Sequence, residues 1–152
     1  MFTLSQANLA ALQAHACEVY PDECCGMIIV RNGREEVVRV TNMQNDLHAQ
    51  DPEQFQRTAA TAYTMGREAA AILLAAERGE LELRAIYHSH PEHDAYFSAE
   101  DKKQAFGGWD EPNYPDAVQI VLSVRQRTVV AVKAFAWDAA VRDYVDAVLS
   151  TA

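Results

Sequence analysis

The sequence predicts an α/β (α+β) domain built around a single central sheet, on three observations. Stretches with helical apolar spacing alternate with short β-branched runs. An Asn-Gly pair, the strongest short hairpin signal, separates two of those runs. The 152 residues, 49% of them apolar, are enough for one domain with a core of its own. No repeat, low-complexity tract or linker divides the chain, so residues 1–152 are expected to form a single domain.

The elements follow in order. Ser5 opens a helical stretch carrying Leu9, Leu12, Ala16 and Val19, which Pro21 stops. Residues 27–30 read as a short buried strand, Arg31-Asn32-Gly33-Arg34 as a turn, and residues 36–40 as the returning strand. Polar residues 41–52, with Asn42, Asn45, Asp46, Asp51 and Pro52, read as a loop. An Ala-rich stretch over 53–78, striped by Met65, Ala69, Ile72, Leu73 and Ala76, predicts a long helix with Gly79 as its C-cap. Leu81, Leu83, Ala85, Ile86 and Tyr87 predict a strand running into His88-Ser89-His90. A short helix over 98–106 and a Gly/Pro/Asn loop over 107–115 come next, then strands over 118–124 and 129–137. Trp109 either anchors its own loop or covers a bound peptide. At the C-terminus Val141, Tyr144, Val145, Val148 and Leu149 fit a helical stripe and also a closing strand; periodicity favours the helix.

Composition narrows the function. A formal net charge of −9 argues against nucleic acid and against an anionic membrane surface, both of which are held by clustered Lys and Arg. Cys17, Cys24 and Cys25 form neither a C-x-x-C pair nor an even secreted framework, and are read as reduced core thiols. With no basic-then-apolar leader and no run of about 20 apolar residues, the expectation is a cytoplasmic protein.

The chemistry concentrates in His88-Ser89-His90-Pro91 and Ser98-Ala99-Glu100-Asp101. Residues two apart on a strand face the same way, so both imidazoles can reach one metal ion. A third ligand must come from elsewhere, and Asp101 lies one loop away at the start of a helix. Two His and one carboxylate leave a fourth position for water, the open arrangement of catalytic zinc. Ser98 with Asp101 is also a generic helix cap, which would itself hold the carboxylate in place. His93, in the same loop, reads as solvated. A base is needed beside the metal, and Glu23, just before a buried strand, is the candidate, because partial burial raises a carboxyl group toward the working range. Asp22 is its neighbour, and spacing alone does not choose between them.

Glu23, then His88-x-His90, seven residues, Ser98, two residues, Asp101 resembles the motif of the JAMM/MPN+ (JAB-domain) zinc metalloproteases. Pro21-x-Glu23-x-Cys25-Gly26 is similar to the small stand-alone bacterial branch. The resemblance spans roughly residues 18–124. It implies a curved central sheet flanked by helices, the JAB/MPN (cytidine-deaminase-like) fold, with zinc at its edge. It further implies one Zn2+ per chain on His88, His90 and Asp101, Glu23 rather than Asp22 as the base, and Ser98 as a stabiliser of the oxyanion. By the same resemblance the substrate is the C-terminal tail of a ubiquitin-like or sulfur-carrier protein, cut after Gly-Gly, and the tail is expected to add along a sheet edge. The loop over 107–115 is longer than the compact version of that branch. Two other readings are a non-catalytic MPN-type binding scaffold and a peptidase acting on cell-wall or phage-assembly peptides. The oligomeric state is not legible.

Overall fold

A computed structural model describes all residues, Met1–Ala152. Six strands form the main sheet: β2 (Cys25–Arg31), β3 (Arg34–Val40), β4 (Glu82–Pro91), β5 (Val118–Arg125), β6 (Thr128–Asp138) and β7 (Asp143–Ala147). Their order is β3-β2-β4-β5-β6-β7. Only β4 and β5 run parallel, and the crossover between them carries helix α4 (Ala99–Phe106). A two-stranded parallel pair, β1 (Phe2–Leu4) with β8 (Leu149–Thr151), ties the two ends of the chain together. No helix is long and apolar enough to cross a membrane.

The sheet is covered on both faces, and the period-2 alternation of its central strands decides which side chain goes where. Cys24 and Ile28 turn toward helix α1 (Gln6–Val19), joining Leu4, Leu12, Ala16, Ala85, Tyr87 and Leu122 in the larger core. Cys25, Met27 and Ile29 turn the other way, into a second core with Val40, Tyr63, Ala69 and Leu81 beneath helix α3 (Glu68–Glu77). Cys17, Cys24 and Cys25 are all free thiols. Burial pushes the Cys24 thiol up to about 12 and the Cys25 thiol higher still, so both stay protonated and inert.

The predicted hairpin forms as expected: Asn32 (φ 52°) and Gly33 (φ 74°) make the left-handed turn between β2 and β3. Gly26 is required for a different reason. Its register partner on β4 is Tyr87, and a Cβ at position 26 would lie 2.4 Å from the phenol ring.

Three expectations are corrected. The long helix over 53–78 is helical only at Glu68–Glu77, with Gly79 (φ 74°) following as predicted. The loop expected over 41–52 contains a short helix, α2 (Gln44–Gln50). The cause is common to both. Side chains at the start of this region capture the backbone that follows: Asn45 Oδ1 accepts from Ala59 N (2.8 Å), Asn42 Oδ1 from Thr64 N (3.1 Å), and Gln44 Nε2 donates to Arg57 O (2.9 Å). Those bonds replace the helical ladder across 57–64, where Thr58, Thr61 and Thr64 are weak helix formers in any case, as is Gly66 just beyond.

The C-terminal stripe is strand, not helix. Val141, Val145 and Val148 are exposed, at 61%, 39% and 67%, so the helical period has no core to face. Pairing of Asp143–Ala147 along the far half of β6 wins instead, with Tyr144 edge-on to Trp137 and packed against Phe97.

Candidate metal centre

Ala85 and Tyr87 of β4 belong to the core under α1, so Ile86, His88 and His90 face the opposite side. There His88, fully buried, stacks on Tyr63 with centroids 4.8 Å apart and planes at 29°. The carboxylate comes from a second element, α4. Ser98 caps it: Ser98 Oγ accepts from Asp101 N (3.0 Å), and Asp101 Oδ2 accepts from Ser98 N (3.0 Å). This capping box sets Asp101 in the first helical turn, where a carboxylate is also favoured by the helix dipole.

Asp101 faces the histidine pair. Its Oδ1 lies 3.1 Å from His88 Nε2, its Oδ2 lies 3.2 Å from His90 Nε2, and the two Nε2 atoms are 3.0 Å apart. For scale, donors held about 2.0–2.1 Å from a tetrahedral zinc ion stand about 3.3–3.4 Å from one another. The triangle is therefore nearly the size a metal needs. Its protonation points the same way. His90 Nδ1 is 2.9 Å from the carbonyl of Asp94, an acceptor for the ring proton that, with a metal bound, would leave the Nε2 lone pair to the ion. His88 Nδ1 has no hydrogen-bond partner, so its ring is oriented by what Nε2 faces, and His88, His90 and Asp101 together form a group that could hold a metal ion.

The electrostatics are those of a buried charged cluster. Burial lowers the His88 pKa. Burial also pulls on His90, but hydrogen bonding to Asp101 and to the Asp94 carbonyl, with the charges of Asp101 and Glu23, raises it on balance. Asp101 resists burial because His88 and His90 bond to it, and stays far below the usual carboxylate range. Glu23 goes the opposite way: only 5% exposed, it is pushed up to about 8, chiefly by burial.

Glu23, His90, Ser98 and Asp101 line one cleft of about 1040 Å³. Its other wall is the irregular segment 54–64, which holds Glu23 in place: Glu23 N donates to Ala59 O (2.7 Å), and Asn42 Nδ2 donates both to Glu23 O (2.9 Å) and to Ala62 O (3.1 Å). Asp22 is placed differently, bonded at its carboxylate to Asn45 outside this cleft. The Ser98 hydroxyl uses a lone pair for the cap, so its proton remains available to the cleft.

Sequence reasoning missed Asn42, Tyr63 and the Asp94 carbonyl as parts of this site. Nothing in local spacing marks them, because each acts through a contact made only after the chain folds. His93 lies outside the metal triad, as a loop histidine should. Trp109 does not anchor its loop: it is 74% exposed. The triad sits at the C-terminal end of an interior strand, while the free edges of the six-stranded sheet, β3 and β7, lie two and three strands away.

A family model described as prokaryotic homologs of the JAB domain matches residues 5–139. Among solved structures, the chain is similar to a protein from Desulfitobacterium hafniense at 21% identity and TM-score 0.69, covering 100% of this chain and 93% of that one. A protein from Salinibacter ruber is 26% identical, with TM-score 0.62 and coverage of 100% and 92%. A JAB1/MPN domain protein from Archaeoglobus fulgidus shares the fold at 14% identity and TM-score 0.54, covering 99% and 98%. No curated protein matches the chain.

Proposed function

The chain belongs to the prokaryotic JAB-domain family, and from that premise we propose that it is a zinc-dependent hydrolase of peptide or isopeptide bonds. The substrate under this reading is the C-terminal tail of a ubiquitin-like, sulfur-carrier type protein, cut after Gly-Gly. The observation that carries the proposal is the triangle of His88, His90 and Asp101 opening into a cleft that also holds a buried glutamate.

Two imidazoles and a carboxylate with one position open suit catalytic zinc, though the same donors also take iron. Zinc at this position supplies Lewis acidity, polarising a scissile carbonyl and making water acidic near neutral pH. Glu23 does the proton work: its carboxylate takes the proton from the attacking water and delivers it to the leaving amine. Burial raises its proton affinity above that of an exposed glutamate, which suits a group that must both take and return a proton. The Ser98 O–H is the donor for the oxyanion, worth about 10²-fold by the measure of other single donors. His88 and His90 contribute fixed lone pairs, the second oriented by Asp94.

The test is direct. Protein loaded with zinc is incubated with a carrier bearing a C-terminal extension, and the product is weighed. Loss of the mass beyond Gly-Gly is expected, and Glu23→Gln should keep zinc while losing about 10²–10⁴ in turnover. An unchanged carrier mass with full zinc occupancy would remove the proposal.

A further inference from the structure

We propose that Arg57 is the receptor for the α-carboxylate of the leaving group, so that a tail ending in a free acid is favoured over its amide. The inference rests on the hydrolase reading above and assigns a residue to recognition of the departing end.

The chain carries 22 acidic residues against 13 Lys and Arg. Four of those cations are paired, Arg39, Arg84, Lys102 and Arg125, with Glu18, Glu35, Asp143 and Asp94. Arg57 forms no ion pair. It is exposed, it lines the cleft with Glu23 and Asp101, and its one hydrogen bond is long, Nη1 to the carbonyl of Thr61 at 3.3 Å. A guanidinium has five donors in a planar fork matched to a carboxylate. Nearly all of them are uncommitted here.

Its backbone is held by side-chain hydrogen bonds from the preceding helix. Gln44 Nε2 holds the Arg57 carbonyl (2.9 Å), and two residues on, Asn45 holds the amide of Ala59 (2.8 Å). The carbonyl of Ala59 in turn accepts from Glu23 N (2.7 Å), so Arg57 and the base are carried by one hydrogen-bonded unit. The Arg57 charge also reaches Glu23, where it opposes the upward push of burial.

The chemistry of the leaving group requires this neighbourhood. Hydrolysis breaks the C–N bond, water supplies OH to the carbonyl carbon, and Glu23 passes the proton to the departing nitrogen. In a released amino acid that nitrogen and the carboxylate are attached to the same carbon. A carboxylate receptor must therefore open onto the same cleft as the proton donor, as Arg57 does. In an isopeptide the departing nitrogen is a lysine Nζ, with no anion near it. Lys103 is the other unpaired Lys or Arg lining the cleft, but it lies on α4 and its charge is not among those that reach Glu23. It serves as the control.

Three fluorescein-labelled peptides test the idea, ending in Gly-Gly-Ala as the free acid, in Gly-Gly-Ala amide, and in Gly-Gly joined to the Nε of a blocked lysine. Dissociation constants are measured on zinc-loaded Glu23→Gln protein, alone and combined with Arg57→Gln or Lys103→Gln; kcat/KM is measured on the same substitutions with Glu23 intact. The free acid is expected to bind and react about 10- to 100-fold better than the amide or isopeptide, the span of a charge-assisted hydrogen bond. Arg57→Gln should erase that margin by weakening the acid alone, and Lys103→Gln should preserve it. Equal handling of acid and amide by the parent protein, equal weakening of both by Arg57→Gln, or no binding of any peptide overturns the assignment. Tight, selective binding of the acid without hydrolysis sustains Arg57 and defeats the hydrolase reading instead.

Discussion

Removing the Asn42 side chain should uncouple catalysis from metal binding. That amide makes four hydrogen bonds: Nδ2 to the carbonyls of Glu23 (2.9 Å) and Ala62 (3.1 Å), and Oδ1 from the amides of Gln44 (3.0 Å) and Thr64 (3.1 Å). The four backbone groups dictate which end of the amide is which, so the orientation is settled by the network. A neutral hydrogen bond contributes about 0.5–1.5 kcal/mol net, and water can replace part of that at a half-buried site. Asn42→Ala should therefore cost about 2–3 kcal/mol. For a chain of this size that lowers Tm by roughly 5–10 °C. The wall over 57–64 loosens with it and Glu23 loses one of its two backbone anchors; a displacement near 1 Å costs about 10²-fold in rate. His88, His90 and Asp101 make no hydrogen bond to Asn42 and meet the wall only at Tyr63, through its ring stacked on His88 and its carbonyl bonded by Gln104 of α4, so zinc should stay at one per chain. Asn42→Asp should be worse than Asn42→Ala, since it turns a carboxylate oxygen onto two carbonyl oxygens. Differential scanning fluorimetry, elemental analysis and steady-state turnover on the two variants give the answer. Loss of zinc, or a Tm within about 1 °C of the parent, would refute the claim that this wall is a separate support for the base.

Metal binding should fail from the other side: His88→Ala or Asp101→Ala is expected to abolish stoichiometric zinc on elemental analysis, and retention of a full equivalent would contradict the triad. Ser98→Ala removes an N-cap worth about 1 kcal/mol and an oxyanion donor worth about 10²-fold, so turnover should fall far more than Tm; a drop of more than about 8 °C with turnover preserved would leave only the cap. The metal-free protein should lose stability as pH rises from about 4.5 to about 8, because Glu23 holds its proton in the folded state over that window and not in the unfolded one. Glu23→Gln should flatten that part of the profile, by up to about 4–5 kcal/mol. Chemical denaturation of chelator-treated protein across pH measures the difference, and parallel curves would mean that Glu23 is ionised in the fold.

The parts of the fold that were readable are those where a short-range rule and the tertiary environment agree. The Asn32-Gly33 turn demands left-handed backbone, and the flanking strands have one buried face each way, so the hairpin is over-determined. The failures share a different cause. Residues 53–67 have helical composition, yet Asn42, Gln44 and Asn45 bond to their backbone and compete successfully with the helix. The stripe of Val141, Tyr144, Val145, Val148 and Leu149 satisfies the helical period by accident, since only contact with β6 reveals that three of these valines face solvent. Phe2–Leu4 is too short to register as a strand without its partner, which lies at the other end of the chain.

The same division runs through the site. Its metal-holding half is local: a period-2 strand places two imidazoles side by side, and a capping box 10 residues further on (Ser98 against His88) delivers the carboxylate. Both devices leave a pattern in the sequence because both depend on neighbours in the chain. The half that would select and process a substrate is non-local. Glu23 acquires its raised proton affinity from burial against a segment more than 30 residues away, and the segment holds its shape through Asn42, Gln44 and Asn45. That arrangement separates two evolutionary freedoms. Substitutions in 54–62 would reshape the cleft wall while leaving the metal triangle intact, whereas Tyr63 is tied to that triangle by its stacking on His88, and Arg57 stands on the freer part of the segment.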